Sequence, residues 1–133
     1  MFIDRLINET PTQVLEQQLN FTETRQQLLA DNIANVDTPG YQQKDLSLDS
    51  FQAMLRQKVA MADSSPDGSV SFEDVHAEVE NPANGILFHD GNNRSMEQLM
   101  TDNAKNALMH NLVVELLRSQ YQSLSEALKE KVS

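Results

Sequence analysis

The densest run of potential ligand atoms in the chain lies between Asp63 and Asp74. Asp63, Ser65, Asp67, Ser71 and Asp74 occupy the first, third, fifth, ninth and twelfth places, with Gly68 sixth and Val70 eighth. This is the order of an EF-hand loop, in which hard carboxylate and hydroxyl oxygens surround a calcium ion and glycine makes the sharp turn. Three features oppose it: the twelfth place is Asp rather than a bidentate Glu, Pro66 stiffens the loop, and Pro82 interrupts the helix that should follow. No second loop is present to pair with it. The segment is therefore read as an acidic linker, with a calcium-binding helical module using residues 63–74 as an alternative that calcium calorimetry would test. His76, His89 and His110 share no metal-ligand spacing, and there is no cysteine. Carboxylates could supply an acid and a base, but no nucleophile or pocket-forming pattern accompanies them. No catalytic residue, metal or cofactor is expected.

The elements that would have to position any site belong to a small chain. It has 133 residues, is 39% hydrophobic and 5% aromatic, and lacks Trp. Its own core must be modest and built from Leu, Val, Ile, Met and Ala. The formal charge of −10 would repel nucleic acid and anionic lipid. The first residues, Met1 to Asn8, carry an acid too early and an apolar run too short for a secretory signal peptide, and no stretch reads as membrane-spanning.

Thr10-Pro11-Thr12-Gln13 reads as a helix start, with Thr10 as cap and Pro11 at the first helical position. A helix is expected over 10–36. Val14, Leu15, Leu19, Phe21, Leu28, Leu29, Ile33 and Val36 then cover roughly half its circumference, broader than a two-stranded seam requires. Thr38-Pro39-Gly40 ends it, since the residue before proline is driven to extended geometry. An elbow and arm follow over 37–47, then a short helix over 48–60 using Phe51, Met54, Leu55 and Val59.

From Val59 to Asn93 there is no Lys or Arg, while acids, prolines and glycines accumulate. Residues 61–94 are expected to be irregular and to order mostly on assembly, with room for short strands at Val70–Phe72 and Ile86–Phe88. Ser95-Met96-Glu97-Gln98 reads as a second capping box, opening a helix over 95–132. Met96, Met100, Asn103, Ala107, His110, Val114, Leu117, Tyr121, Leu124 and Leu128 alternate steps of four and three, a coiled-coil register in which Asn103 and His110 are read as satisfied seam residues. Such a helix would span roughly 50 Å. At its centre Leu108, Met109, Leu112, Val113, Val114, Leu116 and Leu117 point around most of the circumference. An all-round apolar helix must be buried on several sides. So small a chain lacks the mass to do that alone, which assigns the missing neighbours to other copies or other proteins.

The run Leu28-Leu29-Ala30-Asp31-Asn32-Ile33-Ala34-Asn35-Val36-Asp37-Thr38-Pro39-Gly40-Tyr41 resembles the N-terminal signature of flagellar basal-body rod and hook proteins. Lys44-Asp45-Leu46 toward Phe51, the turn Asp90 to Asn93, and the ending Leu116 to Leu124 resemble the short proximal rod members. After Asn93 that family commonly has a Val-Asp pair, where this chain has Arg94-Ser95. The resemblance implies a structural subunit, not an enzyme, exported by the flagellar type III apparatus without a cleaved signal and located on the periplasmic side of the basal body. It also implies that the terminal helices assemble and pass torque from the membrane ring toward the distal rod and hook. The implied partners are further copies of the chain, FliE, FlgC, the membrane ring protein FliF and the export apparatus.

The fold expected is mainly α: an elongated pair of N- and C-terminal helices in coiled-coil-like packing, with an irregular acidic middle, all in one rod-subunit domain. The candidate assembly motif is Asn32, Asn35, Asp37, Thr38, Pro39, Gly40 and Tyr41. There the asparagines bond backbone at a helix end and the elbow aims the arm at an adjacent subunit. The candidate helix interface is Leu28, Leu29, Ile33, Met100, Ala107, Val113, Val114, Leu117, Tyr121, Leu124 and Leu128. A small, acidic cytoplasmic adaptor or chaperone with exposed apolar helix is the other alternative; fractionation separates the two, because only a rod subunit is found in basal bodies.

Overall fold

The computed structural model describes residues 10–80 and 92–132. Among these it is mainly helical: α1 (Thr10–Ala34), β1 (Asp45–Leu46), α2 (Leu48–Ser64), β2 (Val79–Glu80) and α3 (Asn92–Val132). The N- and C-terminal helices pair, as the sequence leads one to expect, and the contacts between them fix an antiparallel sense. Glu16 on α1 accepts from Tyr121, Gln26 donates to Asn103, and Thr22 lies against His110 between them.

Each helix boundary has a local cause. Beyond Ala34 the amides of Asn35, Val36 and Thr38 still find carbonyls of Asp31, Ile33 and Asn35, so α1 winds down through turns rather than stopping abruptly. Ser47 caps α2 by accepting from the Ser50 amide at 3.3 Å, a cap of the preferred residue type. α2 runs past the expected end at Ala60 and stops one residue short of Ser65, which stands in extended geometry (φ −82°, ψ 136°) because Pro66 follows it. The extension is held by Ala62, which is buried. α3 begins at Asn92, so Ser95 lies inside its first turn. No glycine or proline between Asn92 and Ser95 prevents the helix from forming there.

The breadth of α1's apolar face is explained by its two neighbours. On one side Phe21 joins Leu46, Phe51, Leu55 and Phe72 in a core, with Val14, Leu28, Val70, Val75 and Ala77 packed against it. Phe21 and Phe51 stack with ring centroids 4.3 Å apart. On the other side α1 meets α3, where Leu99, Asn106, Val113 and Leu117 are buried. The buried seam of α3 thus shares Leu117 with the expected register, but its remaining buried positions are Leu99, Asn106 and Val113. The reason is a polar residue: Asn106 satisfies its amide inside the seam, which an apolar pattern could not reveal.

Part of the acidic middle, residues 70–77, is irregular in backbone but packs against α1 and α2. Lys58 on α2 pairs with Asp74, and Phe72 is buried in the core. No strand forms over 70–72; the short sheet pairs Asp45 with Glu80 and Leu46 with Val79, antiparallel. The expected strand at 86–88 lies outside the described residues.

Candidate assembly site: the elbow and the uncovered face of the last helix

Asn32 organises the elbow. It is 1% exposed, and its side-chain amide behaves like a strand partner for Lys44: Nδ2 donates to the Lys44 carbonyl at 2.7 Å, and Oδ1 accepts from the Lys44 amide at 3.0 Å. The Tyr41 hydroxyl donates to the same oxygen at 3.4 Å. Asn35 donates to the Asp31 carbonyl and accepts from the Thr38 hydroxyl, so both asparagines bond at a helix end in the way their residue type permits. The Tyr41 amide donates to the Thr38 carbonyl at 3.2 Å, closing a turn with Pro39 and Gly40 at its centre. Gly40 has φ +76°, which is the type II arrangement.

This turn sends residues 41–46 back along α1 of their own chain, a path that differs from an arm aimed outward. Arg25 donates to Asp45 through Nε at 2.8 Å and Nη2 at 3.0 Å, a two-pronged fit between planar groups. That hydrogen bond is the main cause of the raised Arg25 pKa, opposed by burial. Leu46 then enters the core, and the Ser47 amide donates to the Glu78 carbonyl. What faces solvent at the elbow is its tip: Asp37, Thr38, Pro39 and Gly40 are all exposed.

The second feature is the outer face of α3. Leu108 is 70% exposed, Leu112 54%, Met109 48% and Leu116 45%. At about 100° per residue these four fall on one strip, turned roughly a third of the circumference away from the buried line of Leu99, Asn106, Val113 and Leu117. Of the expected interface residues, Leu29, Val113 and Leu117 are buried; Leu28, Ile33, Ala107, Val114 and Leu124 are half-buried, whereas Met100, Tyr121 and Leu128 face solvent. Tyr121, Leu124 and Leu128 line a shallow apolar groove near the end of α3, together with Ser125, Lys129 and Val132. The Tyr121 hydroxyl donates to Glu16 at 2.7 Å, which raises its pKa.

The calcium-loop pattern does not converge on a point. Asp63 and Ser64 belong to the last turn of α2. Asp67 accepts from the Ser65 hydroxyl at 2.6 Å and the Ser69 amide at 3.0 Å, which holds its carboxyl down at about 2, while Asp74 is taken by Lys58, whose hydrogen bond lowers its pKa. Among the described residues no group of acids and histidines is placed to hold a metal ion, and no helix is long and apolar enough to cross a membrane.

Sequence reasoning missed Thr22, Arg25, Gln26, Ser47 and Asn106. Only Ser47 left a local signal, a capping residue three places before the Ser50 amide that it accepts from. The others depend on partners 20 to 88 residues distant.

Known proteins are similar to this chain in sequence. A family model described as flagella basal body rod protein matches residues 15–42, the run from α1 through the elbow. The flagellar basal body rod protein FlgB of Salmonella typhimurium is 31% identical over 140 aligned residues, covering 96% of this chain and 97% of that relative. FlgB of Bacillus subtilis is 30% identical over 120 residues, covering 87% of this chain and 91% of that relative. FlgB of Escherichia coli K12 is 29% identical over 123 residues, covering 86% and 89%. With the paired terminal helices, the Thr-Pro-Gly-Tyr elbow and near full-length similarity in agreement, the chain belongs to the FlgB family of flagellar basal body rod proteins.

Proposed function

We propose that this chain is a structural subunit of the flagellar basal body rod, and that neighbouring subunits hold it there by covering the outer strip of α3 and the elbow tip. The carrying observation is the exposure of Leu108, Met109, Leu112 and Leu116 on one face of a helix whose other face is already buried. Full burial of such a side chain contributes about 1.5–3 kcal/mol, so even the part still exposed offers several kcal/mol in sum to an assembly. No further helix need be ordered to collect it, because α3 is already formed.

The same reading extends to partners and load. Further copies of the chain, FliE, FlgC and the membrane ring protein FliF are the proposed neighbours, reached after export by the flagellar type III apparatus. A helix of 41 residues extends about 60 Å, whereas a compact chain of this length has a radius of gyration of only about 14 Å. An unbroken α-helix of that reach suits a part that passes torque along a tube. Neither alternative has comparable support: the loop oxygens at 63–74 turn to local partners, and the relatives described above are rod proteins.

The test replaces Leu108, Leu112 and Leu116 together by Gln. The isolated variant should unfold within about 1.5 kcal/mol of the parent, since exposed substitutions shift stability by at most ~0.5 kcal/mol each. Cells carrying it should make the protein but lack rods in purified basal bodies and fail to swim. Normal swimming would refute the reading. Photo-crosslinking from position 112 in assembled basal bodies then identifies which neighbour covers the strip.

A further inference from the structure

The centre of the α1–α3 seam is polar where an apolar layer would be the more stable choice. Thr22 and Asn106 are each only 2% exposed. Asn106 Nδ2 donates to the Thr22 carbonyl and to Gln26 Oε1, both at 2.9 Å. Gln26 Nε2 donates on to Asn103 Oδ1. The Thr22 hydroxyl donates to the Leu19 carbonyl at 2.9 Å and lies 3.0 Å from His110 Nδ1. Its single proton being used, the hydroxyl receives the hydrogen of His110 Nδ1. Every polar group named thus has a partner on the facing helix or in its own turn.

We propose that this layer is a register lock, which sets the axial offset of α1 against α3 rather than adding to the strength of the pair. Leu29 on α1 and Leu99 on α3 are buried toward the elbow end, and Val113 and Leu117 are buried on the far side. Apolar layers of this kind tolerate sliding, because a slip of one heptad, about 10 Å along the axis, replaces one aliphatic contact by another. Asn106 does not. It now faces Thr22 and Gln26; a slip by seven residues sets it against Leu15 and Leu19, or against Leu29 and Ile33, where its buried amide has no side-chain partner. The same slip parts Thr22 and Gln26 from Asn106. Asn103 and His110 are one heptad apart, so it brings His110 opposite Gln26 or Asn103 opposite Thr22, and the penalty falls on Asn106, the buried one of the three. Buried polar groups left unpaired are costly, whereas paired ones contribute little net stability, so the layer penalises wrong offsets more than it rewards the right one. A single buried Asn plays this part in coiled coils. The inference concerns the isolated chain and does not depend on what covers the outer face of α3.

The test uses the full chain, which has no cysteine of its own, with nitroxide labels at Glu23 and Gln122, both exposed. The parent should show one narrow interlabel distance. In Asn106→Leu the helix content and a cooperative melt at equal or higher temperature should persist, while the distance distribution splits or shifts by up to about 10 Å. A single unshifted distance overturns the proposal. If Asn106→Leu does not fold, the variant Thr22→Val, Gln26→Leu, Asn106→Leu decides, because it removes the buried amide together with both its partners, and Asn103 and His110, only half-buried, can turn to water. A folded triple variant with two distances supports the lock; a folded one with the parental distance, or an unfolded one, overturns it.

Discussion

Gly40 holds the elbow by a conformation that other residues reach only at a cost. Its φ of +76° lies in the left-handed region, and nothing stands within 4 Å of where a Cβ would be placed. A substitution there meets backbone strain and not a clash. Gly40→Val should therefore destabilise the isolated chain by about 1–2 kcal/mol, and Gly40→Asn by clearly less, since Asn enters the left-handed region more readily. Urea midpoints would rank the two; equal losses would show that crowding, and not φ, governs the site. Because the strain falls on the turn that returns residues 41–46 to Asn32, Gly40→Val should also block rod assembly while leaving expression intact. Asn32 shows why part of this site was hidden: its residue type and helix-end position suggested a backbone bond, but the partner, Lys44, became apparent only once the arm had folded back.

α2 is the element most dependent on tertiary packing. It was legible as a helix from the spacing of Phe51, Leu55 and Val59, and its end beyond Ala60 follows from Pro66, which drives Ser65 out of helical geometry. What docks it is the cluster of Phe21, Leu46, Phe51, Leu55 and Phe72, drawn from four separate parts of the chain. Phe51→Ala should cost about 3–5 kcal/mol, a large share of the 5–15 kcal/mol that stabilises a typical small protein. The loss should appear first as faster hydrogen exchange in α2 and residues 70–77, ahead of α1 and α3. Uniform acceleration along the chain would mean instead that the core and the helix pair unfold as one unit. The same cluster places residues 70–77 of the acidic middle: one buried Phe72 and one Lys58–Asp74 ion pair anchor an irregular stretch to the helices.

At the scale of the molecule two opposing terms govern association. The strip at Leu108, Met109, Leu112 and Leu116 favours burial, while a formal charge of −10 per copy opposes the approach of like subunits. Charge repulsion is screened by salt and apolar burial is not. Raising ionic strength from about 0.01 M to about 0.15 M shortens the screening length from roughly 30 Å to roughly 8 Å, and should tighten self-association several-fold. Sedimentation equilibrium at the two salt levels measures this. Weakening with salt would mean that ion pairs, and not the apolar strip, hold the copies together.

The sequence by itself determined the helices, the elbow and the family, because each is written in short-range features: apolar spacing near 3.6, a proline that forbids the next turn, and a contiguous motif from Leu28 to Tyr41. It also showed that the last helix has more apolar surface than one partner can cover. Only the tertiary structure decided which side of that helix is buried, since Asn106 counts as polar in any periodicity yet sits at the centre of the seam with its bonds made to Thr22 and Gln26. The same holds for the path of the arm, the strand pairing of Asp45 with Glu80 and the place of Phe72. In each case the deciding contact joins residues far apart in the chain, and burial of a polar or aromatic side chain is set by what meets it there.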